Sequence, residues 1–152
     1  MGSRRYGVDV PERPPVPLTY LVKQLEQAVR KELDRRIRPL GITTLQYTAL
    51  SVLERQPGMT AAQLARRSFV SPQAAGEMVA ALERKELIER VPDPRNPHIL
   101  AVRLTRQGRA MLKRCGAIVA DIDDRMAGGM KAADRRQLRA LLTTSLDHLR
   151  DA

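Results

Sequence analysis

The sequence has few of the residues that small proteins use for chemistry. Its single cysteine, Cys115, has no intramolecular partner, which excludes a disulfide scaffold of the secreted kind. The two histidines, His98 and His148, lie far apart, and no Cys/His cluster has metal-ligand spacing. There is no tryptophan, and aromatics make up only 3% of the residues. A chain so poor in aromatics yet rich in Leu, Ala and Arg reads as mostly helical. No apolar run approaches the ~18 residues of a membrane span. Arg4 and Arg5 are followed by no apolar stretch, so no secretory signal is expected and the cytoplasm remains. Phosphate loop, nucleophile elbow and catalytic triad are all missing, so neither an enzyme nor a cofactor or metal is expected. Acidic residues are also short, 17 against 27 Lys and Arg, leaving a net charge of +10. That excess attracts polyanions, nucleic acid first among them.

What the sequence does have is helical periodicity. The 152 residues suggest one domain. Residues 1–17 hold four prolines and read as an extended arm. From Leu18 through Leu21, Val22, Leu25, Val29, Leu33 and Ile37 runs one apolar stripe, ended by Pro39-Leu40-Gly41. Thr43…Gln46 and Thr60…Gln63 read as capping boxes that open two further helices. Phe69-Val70 reads as a short turn, and Ser71-Pro72 then caps and starts a helix with Ala75, Met78, Val79 and Leu82 on its apolar face. Residues 87–91 and 99–104 read as two strands, and Pro92, Pro94 and Pro97 predict a stiff loop without regular structure between them. Thr105 caps a long helix, Gly128-Gly129 breaks it, and a last helix carries Leu138, Leu141, Leu142, Leu146 and Leu149.

Short helix, turn, second helix and hairpin in that order make a winged helix-turn-helix. The expected fold is therefore mainly α with a small β-hairpin: a winged helix-turn-helix with N- and C-terminal dimerisation helices. The DNA-binding module spans about 43–104 within a single domain of 18–152. The dimerisation helices cover about 18–38 and 105–150, where the apolar stripes call for a second copy of the chain.

Several pieces in this order resemble the MarR (multiple antibiotic resistance regulator) family. They are Leu64-Ala65-Arg66-Arg67, Leu82-Glu83-Arg84-Lys85, Leu87-Ile88-Glu89-Arg90, Asp93-Pro94-Arg95, and Val102-Arg103-Leu104-Thr105 with Gly108. Together they span roughly residues 60–108. The resemblance implies a winged-helix homodimer, usually a repressor, often released from DNA by a small ligand or by oxidation. Three positions depart from the family pattern. Glu86 stands where Gly is usual, which suggests a differently built helix end. Lys131 replaces the common Ser or Thr at the start of the last helix, and Glu77 replaces an Arg of the recognition helix.

In such a module the N-terminal part of the second helix enters the major groove. That face here is Ser71, Gln73, Ala74 and Glu77. Gln73 suits adenine, Glu77 the amino group of cytosine, and Ala74 a thymine methyl. Arg66 and Arg67 suit phosphates. Arg95, at the tip of the wing, suits the narrow minor groove, with Asp93 positioned to orient its guanidinium and His98 nearby for phosphate. Residues 60–108 carry eight basic and five acidic residues, a net +3, so the motif argues more strongly than the charge. Tyr47 is the candidate for a pocket taking a small aromatic or anionic effector, with a place in the core as its plainer role. Cys115, beside Arg114, is a candidate thiol sensor, more simply a packed core residue.

The expected function is a sequence-specific, homodimeric regulator of double-stranded DNA, a ligand-responsive repressor. Two alternatives stay open: a non-specific architectural DNA binder, and an interaction module whose basic surface meets an acidic partner.

Overall fold

A computed structural model describes residues 14–68 and 71–150. The proline-rich arm up to residue 13 and the turn expected at 69–70 lie outside the described residues. Six helices and one hairpin follow in the expected order: α1 Leu18–Ile37, α2 Thr44–Arg55, α3 Ala61–Arg67, α4 Pro72–Arg84, β1 Ile88–Asp93, β2 Asn96–Leu104, α5 Arg106–Met126 and α6 Ala132–Arg150. None of these helices is long and apolar enough to cross a membrane.

Local chemistry sets the boundaries. α1 tightens into a 3-10 turn at Arg38–Leu40 and stops at Gly41, whose φ of 89° is left-handed. Both capping boxes form: Thr43 with Gln46 at the start of α2, and Thr60 with Gln63 at the start of α3. Ser71 accepts from the backbone N–H of Ala74 at 3.3 Å, and Pro72 fills the first helical position, where a missing N–H costs nothing.

Ile37, Leu50, Leu64, Val79, Leu82, Val102 and Cys115 are the largest fully buried side chains, drawn from α1 through α5. For the larger aliphatic ones, each such burial contributes roughly 1.5–3 kcal/mol. The hairpin is tied to this core by main chain as well, because the N–H of Val102 donates to the carbonyl of Met59 at 2.7 Å.

Two expectations need correction. The prolines do not make an irregular loop. Pro92 lies within β1 and Pro97 within β2, and the turn is reduced to Pro94 and Arg95. In a two-stranded ribbon both strands are edges, so a proline can sit where no ladder N–H is required. The pairing absorbs the irregularity in a register shift between Pro92 and Asp93.

Nor is the end of α4 built differently for want of glycine. Glu86 takes the left-handed conformation itself, at φ 57°. The N–H of Leu87 reaches the carbonyl of Leu82 at 3.0 Å, and that of Glu86 reaches Glu83 at 2.8 Å. This is the paired-bond closure normally built on glycine, with buried Leu87 packed against the same core as Leu82.

The outer helices are unfinished in one chain. Leu18 and Leu149 are each 80% exposed, and α6 buries no residue. Both α1 and α6 thus leave an apolar stripe in water, where a monomer's exposed apolar side chains are usually scattered singly.

Candidate nucleic-acid interface

The site is built on α4. Ala75, Met78, Val79 and Leu82 anchor its inner face in the core. Helical spacing then turns Gln73, Gly76 and Glu77 outward, all exposed, with Ala74 half-buried at the margin, while Ser71 is exposed at the N-cap. A Cβ on Gly76 would meet nothing within 4 Å, so packing inside the chain does not require glycine there. It costs about 1 kcal/mol of helix propensity relative to alanine.

The cations around α4 divide into two groups. Arg90 pairs with Glu83 at 3.0 Å and Arg103 with Glu89 at 2.6 Å, so the wing's base is largely self-neutralised. Arg66 and Arg67, in the exposed last turn of α3, enter no ion pair among the described residues. The same holds for Arg95 at the tip.

Asp93 does not grip the guanidinium of Arg95. Its Oδ1 accepts from the backbone N–H of Arg95 at 2.7 Å, fixing the turn and leaving the side chain free. Asn96 acts likewise, accepting from the backbone N–H of His98 at 3.1 Å. His98 therefore projects from a strand, not from a loop. The structure brings Gln73 and Glu77 together on one face of α4, leaves Ser71 at the N-terminal end of that helix, and sets Arg95 and His98 on the separate wing.

Three features escaped the sequence reading. Lys85, just past α4, donates to the carbonyl of Gly41 at 2.7 Å and to Oε1 of Gln46 at 3.0 Å. Gly108 lies against the main chain of Leu87, where a Cβ would sit 2.0 Å from the carbonyl oxygen. Ser68, at the end of α3, buries its hydroxyl without a hydrogen-bond partner among the described residues. Gly108 and Lys85 stood within the motifs quoted from the sequence, but neither contact was signalled there, and Ser68 left no trace.

Ser68 also lines an open-sided cavity of about 700 Å³ between α1 and the start of α2. Val22, Leu25, Val29, Leu33, Leu45 and Met126 supply apolar wall. Glu26, Arg30, Asp34 and three threonines supply the polar part. Tyr47 is not in this lining; it is half-buried and packs against the core. Its neighbours on α2 face the cavity instead, because Leu45 and Thr48 lie on another side of the helix. Cys115 is buried, and burial pushes its thiol above its ordinary value against the opposing charge of Arg114. That environment protects the thiol from oxidation and disfavours a sensor role. Among the described residues no group of His, Cys, Asp and Glu is placed to hold a metal.

Known proteins share this arrangement. A family model described as MarR family matches residues 40–96, from the turn after α1 to the wing. The transcriptional repressor Rv2887 of Mycobacterium tuberculosis (strain H37Rv) is 32% identical over 126 residues, which is 83% of this chain and 91% of that protein. The multiple antibiotic resistance protein MarR of Escherichia coli K12 is 27% identical over 128 residues, 84% and 89% of the two chains. The crystal structure of Rv2887 in complex with DNA matches with a TM-score of 0.74 at 32% identity, covering 86% of this chain and 98% of that one. Rv2887 in complex with salicylic acid matches with a TM-score of 0.71 at 31% identity, covering 86% and 96%. Shared order of elements, shared fold and identity across most of both chains lead to one conclusion: this chain belongs to the MarR family of winged-helix transcription regulators.

Proposed function

We propose that the protein is a homodimeric, sequence-specific DNA-binding repressor, working on promoter DNA in the cytoplasm and released by a small effector. The observation that carries this reading is the outward face of α4. Gln73 and Glu77 are exposed on a helix whose other side is locked in the core, and Ser71 is exposed at its N-cap. Side chains of this kind discriminate base edges, while Arg66, Arg67 and the wing's Arg95 suit phosphates and the minor groove. The glycine at position 76, unneeded by packing, fits a close approach of this face to DNA.

Relatives support the reading. Rv2887 is named a transcriptional repressor and has been crystallised with DNA. Its crystals with salicylic acid support a small aromatic effector here. The exposed apolar faces of α1 and α6 support a second copy of the chain as the partner that covers them. Competition for the promoter follows if effector binding changes the separation of the two recognition helices.

Selection of bound fragments from the source genome, followed by footprinting, tests the proposal. Two half-sites with centres about one helical turn apart, roughly 34–36 Å, are expected. Fragments without a common motif would instead favour an architectural DNA binder. No retention of DNA at physiological salt would favour an acidic protein partner.

A further inference from the structure

The C-terminal end of the recognition helix is held from two sides. On one side Lys85, its C-cap residue, donates to the carbonyl of Gly41 at 2.7 Å and to Oε1 of Gln46 at 3.0 Å. Gly41 ends the turn after α1, and Gln46 stands in the first turn of α2. That turn is itself tied back to α1, because the hydroxyl of Thr44 donates to Oδ1 of Asp34 at 2.5 Å. On the other side stands Thr105, the N-cap of α5. Its hydroxyl donates to the carbonyl of Glu86 at 2.6 Å and accepts from the N–H of Gly108 at 3.0 Å. Its own N–H donates to the carbonyl of Leu87 at 3.1 Å. Between the two anchors Glu86 keeps its left-handed φ of 57°. A non-glycine residue takes that conformation at a cost and keeps it only where its surroundings fix it. The main-chain bonds from Glu86 to Glu83 and from Leu87 to Leu82 already close α4. Lys85 and Thr105 therefore attach that end to other elements instead of capping it.

We propose that Lys85 and Thr105 are positioning residues for operator recognition, which fix the angle of α4 against α1 and α5 and so set the half-site spacing that the homodimer accepts. The inference rests on the regulator reading above and deepens it by naming residues that decide spacing and touch no base. α1 and α5 lead out of the DNA-binding module into the helices that join two copies. The seat of α4 on them therefore fixes where one recognition helix stands relative to the other. One base pair added between half-sites moves the second by about 3.4 Å and turns it by about a tenth of a helical turn. A dimer with rigidly seated recognition helices loses contacts at one half-site on such DNA. A dimer whose α4 can tilt recovers them, but it binds the natural site less tightly because that helix must then be ordered on binding.

Three duplexes test this with the full chain: a selected genomic site at its natural spacing, and the same half-sites with one base pair inserted or deleted at the centre. Dissociation constants are read by fluorescence anisotropy. The native protein is expected to prefer the natural spacing by about tenfold or more, as the loss of one base contact allows. Lys85→Met and Thr105→Val should each lower that preference to about threefold or less, chiefly by weaker binding to the natural site. Thr105→Ser, which keeps the hydroxyl, should restore the native ratio. Lys85→Met carries the test should Thr105→Val fail to fold, since Lys85 lies at the surface. A loss of general stability alone weakens binding to all three duplexes alike and leaves the ratio unmoved. An unmoved ratio in both variants would therefore overturn the proposal, as would a native protein indifferent to spacing. A native protein that prefers no genomic site over scrambled DNA would remove the regulator reading itself, and this result is visible before any variant is compared.

Discussion

Lys85 fastens the end of the recognition helix to the start of α2. Its ammonium donates to Oε1 of Gln46, an atom that also accepts from the backbone N–H of Thr43 within the capping box. One side-chain oxygen thus serves both α2, which borders the α1–α2 cavity, and the end of α4. Lys85→Met keeps most of the stem and removes both hydrogen bonds. Because the lysine is exposed, the expected loss is modest, about 1 kcal/mol in urea unfolding. A several-fold loss of DNA affinity should accompany it, since α4 loses its C-terminal anchor. Unchanged affinity with unchanged unfolding would show that the clamp holds nothing.

Two glycines should respond to the same substitution with opposite signs. A Cβ at Gly108 meets the main-chain carbonyl of Leu87, which already accepts from the N–H of Thr105 at 3.1 Å and has little room to retreat. Gly108→Ala should lower stability by about 1–3 kcal/mol or more. Gly76 faces open space. Gly76→Ala should therefore raise stability by up to about 1 kcal/mol. It should also weaken DNA binding, because the added methyl stands on the face that approaches the groove. Thermal unfolding and DNA titration of both variants check the pair.

Acid should loosen the joint between α1 and α5. The Arg35 guanidinium and, across the joint, that of Arg125 hold the Glu32 carboxyl down to about 2, against an ordinary 4.5. A group depressed on folding stabilises the fold above its unfolded value. That contribution is lost as the pH falls from 4.5 towards 2. Glu32→Gln should flatten the dependence of Tm on pH inside that window and leave its shape above the window unchanged. An identical acid limb in the two proteins would mean that the ion pairs are too solvent-screened to count.

The wing should act mainly through charge. Its tip holds Arg95 with its backbone pinned by Asp93 and its guanidinium free. Loss of one phosphate-like contact per protomer is two per dimer. The slope of log affinity against log salt should then fall by about 1.8 in Arg95→Ala, at about 0.9 per contact. Arg95→Lys should keep the slope and lose some preference for A·T-rich flanks, because the more strongly hydrated ammonium enters a narrow groove less readily. An unchanged slope in Arg95→Ala would remove the wing from the interface.

Most of the fold was legible because its boundaries are local. Thr43, Thr60, Ser71 and Thr105 each cap within three residues, and Gly41 sits where α1 must turn. The outward face of α4 was legible for the same reason, since Ala75, Met78, Val79 and Leu82 fix which side goes in. What the sequence hid was mostly contacts made at a distance. Nothing near Lys85 signals that it reaches Gly41 and Gln46, and nothing near Asp34 signals Thr44. The proline rule misled at the wing because it speaks of sheet interiors, and this ribbon has none. Glu86 misled because tertiary packing of Leu87 outweighs the local cost of a left-handed Glu, about 1–2 kcal/mol. Asp93 was placed at the right turn but with the wrong partner, since a two-residue reach favours backbone over a long side chain.

The central claim is that α4 reads bases. It is tested most directly by the ratio of dissociation constants for a selected genomic site and a scrambled duplex of equal length, at physiological salt, for the native protein and Gln73→Ala. The native ratio is expected to be about 10³ or greater. Gln73→Ala should lose about 1–3 kcal/mol on the selected site only, relaxing the preference at one position in each half-site. A native ratio near one, or an equal loss on both duplexes, would contradict the account.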